Sequence, residues 1–441
     1  MSENVSATID RPVHGLNSGN TTRSGLSISL ILLVVLLFAI SGGVLWPLGI
    51  NYEGITGSAA SKIHPFTYLT VLVFGWQLLN SGHVVDSCLR TVKQTPASLL
   101  LIAAGVALFC QIVARHGAGM AGAIDTYVGP GLLVMMLGWA GEREMRKVEI
   151  TLHVLMAINA LIALVEFATD SRLFPYRFDG ELFPTDTRST ALQGHPLTNA
   201  LVTACYLLAL LTGGRSLPRR WKIPMIGLQL LALVTFGGRS AIVVSLLLGG
   251  AYLMARGKHL LRGTRISLLG AAILVLSISL VPMVVDPPFS AGGFFDSLVG
   301  RFHSDGGSAN ARLEMFDLLS QIPFRDLIVG SDFGFVDSLR RLSGLEWGIE
   351  NPIVKTILYH GLFMTMLLAT AVILFLYEVA GRCQSGVWLP VLAFSILLMT
   401  AETIGGKTTL LAKFAVIVLA MYRPWSFQGH GKPKGTYDVG V

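Results

Sequence analysis

Apolar residues in this chain fall in long unbroken runs, not in the alternation of a half-buried strand. The runs cover approximately 26–46, 65–81, 97–114, 126–140, 150–168, 194–213, 223–236, 240–255, 266–284, 352–378, 388–404 and 408–423. A hydrocarbon core of ~30 Å is crossed by about 20 apolar residues in an α-helix. Lipid offers the backbone no hydrogen bonds, so such runs predict helices packed into a bundle. Their continuity argues against the alternating strands of a transmembrane barrel. The predicted fold is therefore all-α: a polytopic transmembrane helical bundle of about twelve spans.

Composition agrees. Of the 441 residues 52% are hydrophobic and 13% charged, against about 25% charged in soluble domains. Mean hydropathy is +0.64. The four cysteines, Cys88, Cys110, Cys205 and Cys383, form no CxxC pair, which argues against a disulfide framework or a structural zinc site. The polar stretch before the first run resembles no signal peptide, so that run reads as a retained span.

The formal net charge of +7 acquires meaning from its placement. Three short connections, GEREMRKVE from 141, GRSLPRRWK from 214 and RGKHLLRGTR from 256, are dense in Lys and Arg, whereas the connection after the first run carries only Lys62. The positive-inside rule puts the dense loops and both termini in the cytoplasm. The excess charge thus points to anionic lipid, with no nucleic acid implied. The expected organisation is a cytoplasmic tail over 1–25, spans one to nine over 26–284, one large, partly helical periplasmic loop over 285–351, spans ten to twelve over 352–423, and a cytoplasmic tail over 424–441. Within the long loop, 310–322 has Leu313, Phe316, Leu319 and Ile322 near helical spacing. This predicts an amphipathic helix on the membrane surface or capping the bundle.

The side that should be poor in positive charge nevertheless carries Arg172, Arg177, Arg188, Arg239, Arg301, Arg312, Arg325, Arg340 and Arg341. Arginine's planar fork suits bidentate contact with phosphate; pairing with nearby acids, Asp170 among them, is the alternative. Arg239 stands in the turn Phe236-Gly-Gly-Arg-Ser240, where glycines let the backbone turn and approach a ligand. His195 precedes Pro196 and is placed to cap a helix, or to bind or deprotonate a sugar hydroxyl. Glu350 and Asn351 precede Pro352 at the start of a run. A carboxylate there can serve as a general base or favour the helix N-terminus. Glu166 and Lys413 are charges within apolar runs, and Lys413 requires a partner. Asp179, Glu181 and Asp186 are weak grounds for a metal, and no metal site is expected.

Four strings in this order, Arg188-Ser-Thr-Ala-Leu-Gln-Gly-His-Pro-Leu197, Phe236-Gly-Gly-Arg-Ser240, Asn310-Ala-Arg312 and Glu350-Asn-Pro352, resemble the superfamily of O-antigen ligases and Wzy-type O-antigen or exopolysaccharide polymerases. The resemblance covers most of the chain and includes the expected loop before the last three spans. It implies a glycosyltransferase of the bacterial inner membrane, working on undecaprenyl-pyrophosphate-linked oligosaccharide at the periplasmic face with neither cofactor nor metal. A chain-length regulator and other polysaccharide assembly proteins would be its partners. It places Arg239 and Arg312 on the pyrophosphate with Arg188 nearby, has His195 and Asn351 bind substrate, and makes Glu350 the candidate base, with another residue in that role as the alternative. The ligases have a His-Asn pair, nine residues and a Gly; here Glu350-Asn351 is followed by Pro352 through His360 and then Gly361. Glutamate in the histidine position favours a polymerase over a ligase that transfers glycan to lipid A core. A flippase or secondary transporter is the competing class, although no internal repeat is evident. A membrane scaffold would leave the outer arginines unexplained.

Overall fold

A computed structural model describes residues 20–54, 58–178, 181–182, 188–260, 315–345, 349, 351–400 and 404–424. The chain is mostly helical: α1 Asn20–Ala39, α2 Gly42–Leu45, α3 Pro65–Asn80, α4 Val84–Gln94, α5 Pro96–Ala114, α6 Met120–Trp139, α7 Glu142–Thr169, α8 Pro196–Thr212, α9 Arg219–Phe236, α10 Arg239–Leu260, α11 Phe324–Val329, α12 Phe333–Leu342, α13 Pro352–Gly381, α14 Trp388–Leu398 and α15 Leu410–Tyr422. A two-stranded antiparallel ribbon, β1 Arg177–Phe178 with β2 Glu181–Leu182, follows α7. Every apolar run coincides largely with helix except 266–284, which lies outside the described residues, and the run 388–404 is helical as far as Leu398, with 401–403 likewise outside them. Among the described residues five helices are long and apolar enough to cross a membrane, or six if α1 and the segment after it count as one bent span. The molecule is thus an all-α, multi-pass membrane protein.

Its centre is made by α8 and α15, which pack together and against α14 and α7. Every residue of α15 is buried, and Phe394 of α14 stacks on its Phe414 with ring centres 4.0 Å apart. Surrounded by protein and not lipid, α15 can carry the charge of Lys413. With 13 residues it is about 20 Å long, less than a bilayer core. The polar stretch 404–409 that leads into it is consequently recessed between helices.

Where a helix stops inside an apolar bundle its backbone groups need other partners. The chain bends by 94° between α1 and the Gly42–Leu48 segment. The carbonyls freed there are taken by His64 Nε2 at Ile40 (2.8 Å) and by Gln193 Nε2 at Phe38 (3.1 Å). A π-helical turn in α6, Ile124–Val128, supplies Thr126 and Tyr127, whose hydroxyls donate to the carbonyls of Gly406 (3.0 Å) and Ile404 (2.7 Å). These bonds fix the recessed stretch, as π-turns near functional regions often do.

Another break is inside α13. Gly361 has φ +84° and ψ 165°, a conformation suited to glycine, and a Cβ there would overlap the backbone around Ile328 and Gly330. This close approach seats the end of α11 against α13. Gln111 of α5 donates to the His360 carbonyl at 3.0 Å. Beside α5, the Arg115 guanidinium donates to the carbonyls of Tyr359 at 3.0 Å, Gly330 at 2.9 Å and Ser331.

Residues 315–320 are helical, whereas 310–314 lie outside the described residues. Met315, Leu318 and Ile322 are buried with Val336, Leu345, Val354 and Leu358 in a small core of their own. Phe316, expected on the apolar face, is 55% exposed. The buried face is therefore offset from the predicted one, because it seats on α12 and the start of α13. Arg115→Ala leaves three enclosed carbonyls without their donor, at about 1–3 kcal/mol each. The expected outcome is destabilisation of at least about 3 kcal/mol in thermal unfolding of the detergent-solubilised protein. Wild-type stability would contradict the strapping role.

Candidate functional site

One end of the bundle gathers the polar loops: the segment after α2, the stretch 188–195, the turn between α9 and α10, and the stretches leading into α13 and α15. Three carboxylates organise it in different ways.

Glu166, fully buried near the end of α7, holds the 188–195 segment. Its carboxylate accepts from the amides of Leu173 (2.9 Å), Thr190 (2.8 Å) and Ala191 (2.9 Å). Asn159 accepts from the Leu192 amide at 3.0 Å, and Asn199 donates to the Thr190 carbonyl at 2.6 Å. The Arg172 guanidinium donates to the Arg188 carbonyl at 2.9 Å and pairs with Asp170 at 3.2 Å. Of the two readings for the outer arginines, Arg172 follows the structural one. The segment so held presents Arg188, half-buried, and His195. His195 caps α8: Nδ1 accepts from the amides of Leu197 (3.2 Å) and Thr198 (3.4 Å), and the ring meets Tyr176 edge-on at 4.4 Å. With Nδ1 spent on the cap, proton transfer at this ring falls to Nε2.

The glycine turn comes against the same place. Gly237 has φ +62°, and Gly238 lies so close to Ala200 of α8 that a Cβ would meet the alanine methyl at 2.5 Å. The Ser189 amide donates to the Thr235 carbonyl at 3.2 Å. Arg239, half-buried, is the first residue of α10. Arg188, His195 and Arg239 thus share this end around the start of α8. Asn351 caps α13, its Oδ1 accepting from the amides of Ile353 (2.9 Å) and Val354 (3.2 Å), and Pro352 lies against Gly405 of the recessed stretch. Arg312 and Glu350 lie outside the described residues.

Asp125 of the π-turn is the second carboxylate. It is fully buried and accepts from the His64 amide (3.0 Å), Tyr52 Oη (3.0 Å) and Thr67 Oγ1 (2.7 Å). Burial keeps His64 neutral, its pKa lowered to about 3. It raises the Tyr52 phenol, with Asp125 adding to the effect. Lys407 lies over the Tyr52 ring, 3.6 Å from its centre, and donates to the Tyr52 carbonyl. Its pKa falls to about 8 through burial, although Asp125 and Glu53 pull the other way.

Glu53 is the third. Gly42 makes room for it, since a Cβ there would overlap the carboxyl group. Burial lifts its pKa to about 7 against the pull of Lys407 and Lys413. Lys413 Nζ donates to Gln193 Oε1, which joins this cluster to the segment carrying Arg188 and His195. The partner that the Lys413 charge required is therefore an amide oxygen, with Glu53 acting from further off. Glu53, Asp125 and Lys407 escaped the sequence reading because each is a lone charge at the margin of an apolar run. The pair Gly42-Gly43, opposite Glu53 and Phe174, was the one legible sign of close approach.

Among the described residues no cluster of three or more His, Cys, Asp or Glu has the grouping of a metal site. A cavity of about 240 Å³ opens at the opposite end of the bundle, with Gln94, Arg382 and Arg423 in its wall. It adjoins none of the residues above. Compared with known proteins, the chain matches no family model and no curated protein.

Because one Glu166 oxygen receives two amide protons, Glu166→Gln either turns its amide N–H₂ towards those donors or leaves the third unpaired. The expected loss is about 2–4 kcal/mol, similar to Glu166→Ala, read by thermal unfolding. A glutamine variant as stable as wild type would contradict the anchoring role.

Proposed function

We propose that this protein is a polysaccharide polymerase, an inverting glycosyltransferase that joins undecaprenyl-pyrophosphate-linked oligosaccharide repeats at the periplasmic face of the bacterial inner membrane. The observation that carries the reading is the meeting, at one end of a lipid-solvated bundle, of a glycine-turn arginine with an anchored segment bearing Arg188 and His195. Arginine's planar fork suits bidentate contact with a pyrophosphate, which a lipid carrier brings from the membrane side. The same motifs carry the resemblance to ligases and polymerases. The remaining apolar helices serve as further spans of an about twelve-span bundle, with both termini cytoplasmic and the 285–351 loop outside.

In this reaction an acceptor hydroxyl attacks the anomeric carbon of the donor and undecaprenyl pyrophosphate leaves. Pyrophosphate is a good leaving group, so the site must chiefly stabilise charge developing on it. Arg239 and Arg312 do this with Arg188 nearby; His195 and Asn351 belong to the segments that bind the sugars. Glu350 is the base that the motif supplies. Direct displacement gives a single inversion. The ligase alternative differs only in acceptor, lipid A core in place of a growing glycan.

A second reading has its own support. The bend after α1 and the break at Gly361 are discontinuities of the kind that line substrate paths in carriers, which favours a lipid-linked oligosaccharide flippase or secondary transporter. Arg239→Ala separates the two readings. A polymerase so altered accumulates single-repeat glycan on its acceptor and loses polymer by about 10²–10³-fold, at unchanged protein level, on a gel of cell-surface polysaccharide. Wild-type polymer length and yield would sink the assignment.

A further inference from the structure

The three carboxylates at the polar end differ in one respect. Glu166 accepts from three backbone amides and Asp125 from an amide and two hydroxyls; both are structural. Glu53 has neither a hydrogen bond nor an ion-pair contact among the described residues, although Lys407 and Lys413 both act on it electrostatically. Glu53 is half-buried, and a carboxylate so placed that no protein donor engages keeps its acceptor oxygens for another purpose. It is also built for: Gly42 is shaped to admit the side chain.

The surroundings supply the purpose. Ser41, next to Gly42, is 6% exposed, and its Oγ has no hydrogen-bond partner among the described residues. Gly194 is pressed so close to Ser41 that a Cβ would lie 2.7 Å from Oγ. Gln193, its neighbour, is tied to Lys413 and to the Phe38 carbonyl. An unpaired acceptor, an unpaired hydroxyl and two ammonium groups therefore adjoin the segment that leads into His195. A group that donates a hydrogen bond and loses its proton, a sugar hydroxyl, matches this set.

We propose that Glu53, with Ser41 and Gln193, forms the site of the acceptor hydroxyl, and that Glu53 in place of Glu350 takes its proton. The inference rests on the polymerase reading above. The acceptor O–H proton passes to the Glu53 carboxylate. The oxygen electron pair forms the new bond to the anomeric carbon. The bond from that carbon to the pyrophosphate oxygen breaks, and its electrons leave with undecaprenyl pyrophosphate. Neutralising Glu53 also frees the charge of Lys407 and Lys413 at the moment negative charge grows on the leaving group. Proton removal and leaving-group stabilisation are thereby coupled through one side chain. The proton is released to solvent once product departs.

The groups acting on Glu53 are Lys407 and Lys413, with Tyr52 beside it. A base must be ionised, so the rate rises with pH through about 7, the Glu53 value, and falls above about 8 as Lys407 loses its charge. The test uses full-length protein in proteoliposomes with polyprenyl-pyrophosphate-linked oligosaccharide, comparing wild type with Glu53→Gln, Glu53→Asp, Lys413→Met and Glu350→Gln. Glu53→Gln should lower kcat about 10²–10⁴-fold at unchanged donor KM and lose the ascending limb, while Glu53→Asp keeps the limb. Lys413→Met removes a cation that favours the ionised carboxylate and should move the limb to higher pH. That readout holds even where Glu53→Gln fails to fold. A Glu53→Gln enzyme with wild-type kcat, or an ascending limb lost in Glu350→Gln and kept in Glu53→Gln, overturns the inference and leaves the polymerase reading standing. No glycan lengthening by the wild type overturns that reading itself.

Discussion

An apolar bundle offers polar groups no solvent, so every backbone group freed by a helix break must find a protein partner. Much of the fold answers that constraint. The bend after α1 is closed by His64 and Gln193, the recessed stretch before α15 by Thr126 and Tyr127, and the break in α13 by Gln111 and Arg115. Glu166 does the converse for a loop, collecting amides that no helix uses. The breaks allow loops to descend between helices, and the side chains that repair them hold those loops in place. A polar end of fixed shape inside a membrane protein is the outcome.

The sequence made the helices legible because an apolar run has one economical conformation in lipid. It made one cap legible too: His195 before Pro196 accepts amide protons from the first turn of α8, and Asn351, expected only to bind substrate, does the same for α13. It also marked the Gly-Gly-Arg turn, where Gly238 meets Ala200. It could not show what distant segments do to one another. Tyr52, His64 and Asp125 meet across separate elements, and Lys413 reaches Gln193 from the far end of the chain. The helix at 315–320 shows a smaller failure of the same kind. Local periodicity favoured Phe316 on the buried face, but the helix turns Met315, Leu318 and Ile322 inward because α12 and α13 offer that seat. Gly361 was notable only for its spacing from Asn351, whereas its positive φ and its contact with Gly330 give that spacing a mechanical reason.

Satisfied and unsatisfied groups divide the labour at the polar end. Glu166, Asp125 and Arg172 are fully engaged and position other residues. Glu166 and Arg172 hold the segment that carries Arg188, and Glu53 is held among charges without being bound by any. On the reading proposed above, a site assembled this way would take a substrate that comes from the membrane, carries negative charge to be stabilised and presents a hydroxyl to be deprotonated. A lipid-linked glycan donor and a sugar acceptor meet those terms together, whereas a carrier cargo needs no hydroxyl deprotonated.

Incubation of the purified wild-type protein in proteoliposomes with one defined polyprenyl-pyrophosphate-linked oligosaccharide tests this account most directly. The products are separated by size while free polyprenyl pyrophosphate is assayed. A ladder at whole multiples of the repeat, with one polyprenyl pyrophosphate released per bond formed and with no added nucleotide sugar, is the result predicted. Oligosaccharide that crosses the bilayer unlengthened, or is not consumed at all, would contradict it.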